Sequence, residues 1–170
     1  NQQNEHSQTF CHYLCTYKPH FILDLPQDQF KLLEWPADKN KETALHILLR
    51  KWPGYLEAIT RRLPAKKLKD IMSLSNKDKE TILHLIAQSV SKEDMSGTIR
   101  TMLETLDPDC RLLDQENNKK QRALQLACGH ERKDIIQSIV ELKGTERVLA
   151  STLATGQTKE VIEILKSAKI

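Results

Sequence analysis

Histidines and cysteines are the side chains of this chain best suited to metal or nucleophilic chemistry, and several of them lie near its start. Cys11, His12 and Cys15 are close together, with His20 nearby, in a grouping that resembles a metal-binding cluster. Cys11 and Cys15 would share one face of a helix, whereas His12 would project from another face. The spacing favours a structural role, and we predict no metal site and no cofactor.

Catalytic chemistry has equally little support elsewhere. His46 and His84 are possible general bases, but no Ser or Cys nucleophile with a partner recurs beside them. The acidic pairs Glu93–Asp94 and Asp107/Asp109 fall between predicted helices, where we expect them to cap helix ends. The five glycines are not clustered, so the sequence contains no phosphate-binding loop. We predict no catalytic residues and no enzymatic activity for this part of the protein.

One segment is strongly basic: residues 61–69 contain five cations and no acid, namely Arg61, Arg62, Lys66, Lys67 and Lys69. Such a run can bind nucleic acid, an acidic protein or an anionic membrane. The net charge of the whole chain is only +3, however, and no apolar run approaches the ~18 residues of a membrane span. We interpret the run as a solvated turn at the end of a helix, where cations are favourable. Nucleic-acid binding is the less favoured alternative.

The sequence repeats internally, and the repeat fixes the positions of its predicted helices. Residues 43–49, TALHILL, recur as TILHLIA at residues 81–87, a shift of 38 residues, and the upstream segments match in the same register. Residues 9–15 have the same Thr-x-x-His form, 34 residues before Thr43. Weaker copies follow, so that the histidine-type positions are 12, 46, 84, 125 and 152. This period is typical of helical repeat arrays.

Each repeat is predicted to contain two short helices separated by a breaker. Trp52-Pro53-Gly54, residues 91–94 and Gly129 interrupt the apolar runs of three successive repeats. No alternating apolar and polar stretch is long enough for a sheet core. We predict an all-α chain forming one domain over residues 1–170, with repeats at about 7–35, 36–73, 74–114, 115–143 and 145–168.

These residues resemble the ankyrin repeat, whose signature is an Asp or Asn tip followed by Thr-x-Leu-His-x-x-Ala. The resemblance implies a solenoid of stacked antiparallel helix pairs. It also implies that Thr43 and Thr81 cap helices and that His46 and His84 hydrogen-bond to the neighbouring repeat. The chain departs from the pattern where the family usually has glycine: its tips carry lysine at residues 41, 79 and 120. The tip turns must therefore tolerate a non-glycine residue or adopt another shape.

The resemblance also implies a function, because ankyrin-like arrays bind proteins through a concave surface and their tips. We predict partner contacts at nine residues: Trp35, Lys39, Lys41, Arg50, Trp52, Lys77, Lys79, Lys119 and Lys120. Tip residues 38–42 and 76–80 each sum to zero charge and residues 116–121 to +1, so we expect a weak field. The two tryptophans have an alternative role, which is to pack between repeats.

Compartment and wider context follow from weaker signals. The four cysteines lack the spacing of a disulfide framework, which predicts reduced thiols and an intracellular location in the cytoplasm or nucleus. The chain does not begin with Met, so we expect it to belong to a longer protein. A second hypothesis is therefore a recognition domain of a larger enzyme. Lys- and Asn-rich arrays of this type also resemble host-directed bacterial and viral effectors, which act in the host cell.

Overall fold

A computed structural model describes residues 8–26, 29–30, 38–89, 93–106, 111–143, 162–163 and 166. The helices with described bounds are α1 (Phe10–Tyr17), α2 (Phe21–Asp24), α3 (Ala44–Lys51), α4 (Tyr55–Arg62), α5 (Ala65–Met72), α6 (Ile82–Gln88), α7 (Ser96–Leu106), α8 (Arg111–Asp114), α9 (Ala123–Gly129) and α10 (Lys133–Lys143). β-type pairing in these ranges is confined to isolated bridges, such as the one between Ser75 and Thr81. The predicted all-α class is confirmed.

Four of these helices, here called the inner helices, pack against one another in chain order: α1 on α3, α3 on α6, and α6 on α9. Each inner helix begins directly after the residue that the repeat register predicts. Thr9, Thr43 and Thr81 precede α1, α3 and α6, and Arg122 precedes α9. Local capping and apolar patterning therefore placed the helix starts correctly.

The remaining helices pack against the inner helices and against one another. α4 contacts α3 and α7, and α10 contacts both α7 and α9. The predicted breakers separate the elements as expected, because α3 ends at Lys51 before Pro53, and α9 ends at Gly129. Helix α5 follows Pro64 and packs on α7, while α8 packs on α9.

One hydrophobic core runs through the described units, from Cys15 to Val140. Helix α3 lies in its middle, and the six residues from Ala44 to Leu49 are all buried because α1, α4 and α6 each cover part of the helix. Burying one Leu or Ile side chain is worth about 1.5–3 kcal/mol, so neighbouring units contribute much of the stability of each helix.

The predicted fifth repeat concerns residues that lie mostly beyond this description. Most of the predicted fifth repeat, 145–168, lies outside the described residues. The three residues of this repeat that are described, Ile162, Glu163 and Lys166, are helical. The repeat boundaries therefore stay predictions. None of the described helices is long and apolar enough to cross a membrane.

Candidate interaction surface at the tips and inner helices

The three described tips, residues 38–42, 76–80 and 116–121, are each organised by one polar side chain. In the second tip Asn76 is buried, and its Oδ1 accepts the backbone N–H groups of Asp78 and Glu80, both at 2.9 Å. The other tips repeat this pair of bonds: Asp38 Oδ1 with Asn40 and Glu42 at 2.7 and 3.1 Å, and Asn117 Oδ1 with Lys119 and Gln121 at 2.9 and 3.0 Å. A short Asx side chain thus fixes the turn from within.

A lysine follows in the left-handed backbone region at every described tip. The φ angles are 55° at Lys41, 58° at Lys79 and 60° at Lys120. Each lysine N–H closes the turn on the carbonyl of its Asx residue, at 2.9, 3.0 and 3.0 Å respectively. The tips therefore keep the conformation that glycine favours while carrying a long cationic side chain.

Adjacent tips are bonded directly to each other. The Lys77 N–H donates to the Asn40 carbonyl at 2.8 Å, and the Asn118 N–H donates to the Asp78 carbonyl at 2.8 Å. Lys77 Nζ also donates to Asn40 Oδ1 at 2.7 Å. These bonds align the three tips in one row, here called the tip row.

Charges in the tip row are not balanced at the surface, contrary to the weak field expected from the sequence. Glu42 is buried in an ion pair with Arg50. Glu80 accepts hydrogen bonds from Asn76 Nδ2 at 3.1 Å and from Gln88 Nε2 at 2.8 Å. The exposed acids of the tips are Asp78 and Glu116, against six exposed lysines: Lys39, Lys41, Lys77, Lys79, Lys119 and Lys120. The outer surface of the row is therefore cationic.

The repeated histidines join each inner helix to the unit that follows. His12 Nε2 lies 3.2 Å from the Glu42 carbonyl, and His84 Nε2 lies 3.0 Å from the Gln121 carbonyl. His46 Nε2 lies 3.3 Å from the Leu74 carbonyl. The predicted bonds of His46 and His84 to the neighbouring repeat are confirmed.

Both ring nitrogens of these histidines are used within the fold. Thr43 N–H donates to His46 Nδ1 at 3.3 Å, and the Thr43 hydroxyl lies 2.6 Å from the same atom. That hydroxyl in turn accepts the His46 backbone N–H at 3.2 Å, which confirms the predicted cap. Nδ1 is therefore an acceptor and Nε2 a donor, so the ring is neutral. Burial lowers the pKa of His46 to about 4, and burial also lowers the pKa values of His12 and His84.

The predicted contact residues differ in their surroundings. The six tip lysines are exposed, and Arg50 is partly neutralised by its ion pair with Glu42. Trp52 is the C-cap residue of α3 and 44% of its surface is exposed, so part of the ring is accessible while the rest is packed. Trp35 lies outside the described residues.

Two clefts lie near these residues. One of about 650 Å³ is lined by Trp52, Tyr55, Glu57 and Met95 among others. A second of about 330 Å³ lies between α1 and α3, where Tyr13 and Tyr17 face Arg50 and Lys51. The two clefts thus offer apolar and charged groups together, which suits recognition of a polypeptide.

Sequence reasoning missed an aromatic group on α1. Tyr13 and Tyr17 are 53% and 67% exposed, with ring centroids 4.9 Å apart, and Lys51 Nζ lies 5.7 Å from the Tyr17 ring centroid. Phe10 is 68% exposed. The repeat register contained a signal for this group. Phe10 and Tyr13 are aromatic at the positions that correspond to Ala44 and Ile47, which are not aromatic and are buried.

The basic run at residues 61–69 is only partly a solvated turn. Arg62 donates to the carbonyl of Leu23 and, at 2.6 Å, to that of Leu25, and its guanidinium carbon lies 5.0 Å from the Phe30 ring centroid. This residue therefore joins two units of the fold, while Lys66 and Lys69 are exposed on α5. One of the five cations is thus used within the fold, while Arg61, Lys66 and Lys69 are exposed.

The other candidate reactive groups have structural surroundings. Cys15 is buried and Cys11 half-buried, and burial raises the pKa of both thiols. Asp94 Oδ1 accepts the Ser96 N–H at 2.9 Å, so the predicted capping role is confirmed there, whereas residues 107–109 lie outside the described chain. Within the described ranges no three His, Cys, Asp or Glu residues are grouped to hold a metal ion.

Comparisons with known proteins add no relative to this picture. The sequence matches no protein-family model and no curated protein.

Proposed function

We propose that this chain is an ankyrin-type repeat module that binds a protein partner through its tip row and the concave side of its inner helices. The observation that carries this proposal is that a buried histidine recurs from repeat to repeat, whereas residues nearer the surface of the same helices differ. Register positions 12, 46 and 84 hold the same buried histidine, whereas the exposed or half-buried positions four residues further on, 16, 50 and 88, carry Thr, Arg and Gln. A frame that repeats while its outward residues change is what a recognition surface requires.

The use of its polar groups supports binding over catalysis. A general base needs a ring nitrogen free for substrate, but His46 and His84 use both ring nitrogens inside the fold. The exposed groups of the tips and clefts include lysines, tyrosines and Trp52, which are contact-forming side chains. A recognition role within a larger enzyme stays an alternative of the same binding type.

A pulldown with matched charge variants tests the proposal. The chain is immobilised and exposed to eukaryotic cell lysate beside the variant Lys39→Glu/Lys77→Glu, and captured proteins are identified by mass spectrometry. The control is Lys66→Glu/Lys69→Glu, which makes the same charge change on α5. We expect a partner that binds the native chain and the control and is lost from the tip variant.

Trp52→Ala probes the concave side in the same assay. Reduced capture of that partner would extend its contact area from the tips to the inner helices. If all variants capture the same proteins equally, the proposed surface is wrong.

A further inference from the structure

The recurrence of lysine in a left-handed conformation is the feature of the tips that the fold does not explain. Lys41, Lys79 and Lys120 occupy equivalent positions, and each is exposed. Their backbone N–H groups close the tip turns, but glycine would supply the same N–H without a Cβ. The turn itself therefore does not require the lysine side chains, although Lys120 Nζ lies 3.7 Å from Glu116 Oε2 in an exposed ion pair within its tip.

This choice of residue weakens the fold. A non-glycine residue in the left-handed region costs roughly 1–2 kcal/mol, and here the cost recurs at three tips. Outside the tips, the described chain has one other non-glycine residue with positive φ, Glu131. Backbone strain that recurs at an exposed position indicates a use for the side chain, and the property these three side chains share is positive charge.

The spacing of the row defines what it could contact. Neighbouring tips are hydrogen-bonded, and the inner helices behind them are packed against each other, which places successive units about 8–10 Å apart. A polyproline II segment rises about 3.1 Å per residue with three residues per turn. Every third side chain of such a segment lies on one side, about 9 Å from the next.

We propose that Lys41, Lys79 and Lys120 bind an acidic protein segment that crosses the tip row in an extended conformation, with a carboxylate near every third residue. The proposal rests on the interaction function above and specifies the chemistry of the partner. Lysine is a flexible point charge, which suits single carboxylates in a regular row.

The surroundings of the row favour a protein segment over nucleic acid. Single-stranded nucleic acid is held by aromatic side chains that stack on bases, and residues 38–42, 76–80 and 116–121 contain no aromatic residue. Asp78 and Glu116 are exposed beside the lysines, and a ligand with one carboxylate in three residues meets less repulsion from them than a phosphate at every nucleotide does.

The test measures fluorescence anisotropy of a labelled repeating Glu-Pro-Pro peptide long enough to cross three tips, at low ionic strength. We expect the native chain to bind it, and the equivalent Gln-Pro-Pro peptide to bind at least tenfold more weakly. The variant Lys41→Gly/Lys79→Gly/Lys120→Gly should lose about tenfold or more in affinity, since three exposed ion pairs disappear. The variant with Arg at the same positions should retain binding.

The glycine variant also provides the folding control. Because it removes strain, its melting temperature should not fall, so weaker binding cannot be attributed to unfolding. Unchanged peptide affinity in this variant overturns the inference, and so does equal binding of the Gln peptide. Tighter binding of single-stranded poly-dT than of the Glu peptide overturns it in favour of nucleic acid.

The lysate experiment separates this inference from the broader proposal. A protein partner still captured by the glycine variant leaves the interaction module standing and removes the acidic-segment contact. Peptide binding without any captured partner supports the cationic row and contradicts the module.

Discussion

The buried histidines form junctions between successive units, here called the histidine junctions. These junctions and the tip row repeat in the same register but for different physical reasons. At a junction such as Thr81–His84, both residues are buried, and His84 reaches the next unit through its bond to the Gln121 carbonyl. At the tip two residues earlier, Lys79 is exposed in a backbone conformation that disfavours it. The recurrence of a residue does not by itself distinguish a structural role from a functional one, whereas its burial and its backbone strain do.

The fourth unit shows that the two features are separable. Arg122 and Gln125 stand where earlier units have Thr and His, and Gln125 Oε1 accepts the Arg122 N–H at 2.6 Å. Lys120 nevertheless keeps its left-handed conformation. Loss of the Thr–His pair is thus compatible with an intact tip, and each feature can be altered independently.

The largest effect is expected from breaking a junction. His84→Ala removes a fully buried ring together with its bonds to Thr81 and Gln121, and should lower the free energy of unfolding by about 4 kcal/mol. His84→Gln should cost about half as much, because Gln125 already supplies the Nδ1-type acceptor in the fourth unit. Urea unfolding of both variants measures the difference. Equal losses would show that the acceptor role is unimportant.

The next largest effect is expected from acid, which should lower the free energy of unfolding by destabilising the histidine junctions. The pKa of His46 falls from 6.5 in the unfolded chain to about 4 in the folded one, chiefly through burial. The unfolded chain therefore takes up the proton first, so this contribution is complete above pH 6.5 and is lost as the pH falls toward 4. The loss for His46 alone is about 3 kcal/mol at most.

Unfolding free energies measured across this pH range for the native chain and His46→Gln check the prediction. The variant should be less stable at neutral pH and show a shallower decline between pH 6.5 and 5. Parallel pH profiles would contradict the assignment of a neutral buried ring to His46.

A smaller loss is expected when the internal acceptor of a tip is removed. Asn76→Ala leaves the Asp78 and Glu80 N–H groups without their 2.9 Å partner and should cost about 2 kcal/mol. Asn76→Asp keeps the Oδ1 acceptor, as Asp38 does in the first described tip, but it replaces the Nδ2 donor to Glu80 with a carboxylate, so part of the loss should remain. Thermal unfolding compares the two, and a neutral Ala variant would show that the turn does not depend on this side chain.

The smallest effect has the opposite sign. Lys79→Gly relieves the left-handed strain at the cost of a more flexible unfolded chain, so stability should rise by about 0.5–1 kcal/mol. Lys79→Ala removes the charge but keeps the Cβ, and should leave stability within about 0.5 kcal/mol of the native chain. A destabilised glycine variant would mean that the lysine side chain supports the fold.

The sequence predicted the frame well because the signals that specify it are local. A capping residue followed by a regular apolar run defines the start of each inner helix within about one turn, and the Thr-x-x-His spacing lies within the same turn. It also identified the tip lysines by position. It did not identify Tyr13 and Tyr17, since whether a side chain is covered depends on which unit packs beside it.

The sequence by itself thus determined the helix positions, the all-α class and the residues that cap and join the units. Only the tertiary structure decided which charges face the solvent, because Glu42 is neutralised by Arg50, eight residues away, and Arg62 binds carbonyls of the preceding unit. The formal charge of a segment counts every side chain equally. Folding places some acids in ion pairs and hydrogen bonds and leaves the lysines exposed to solvent. The charge of the surface is therefore set only when the units pack together.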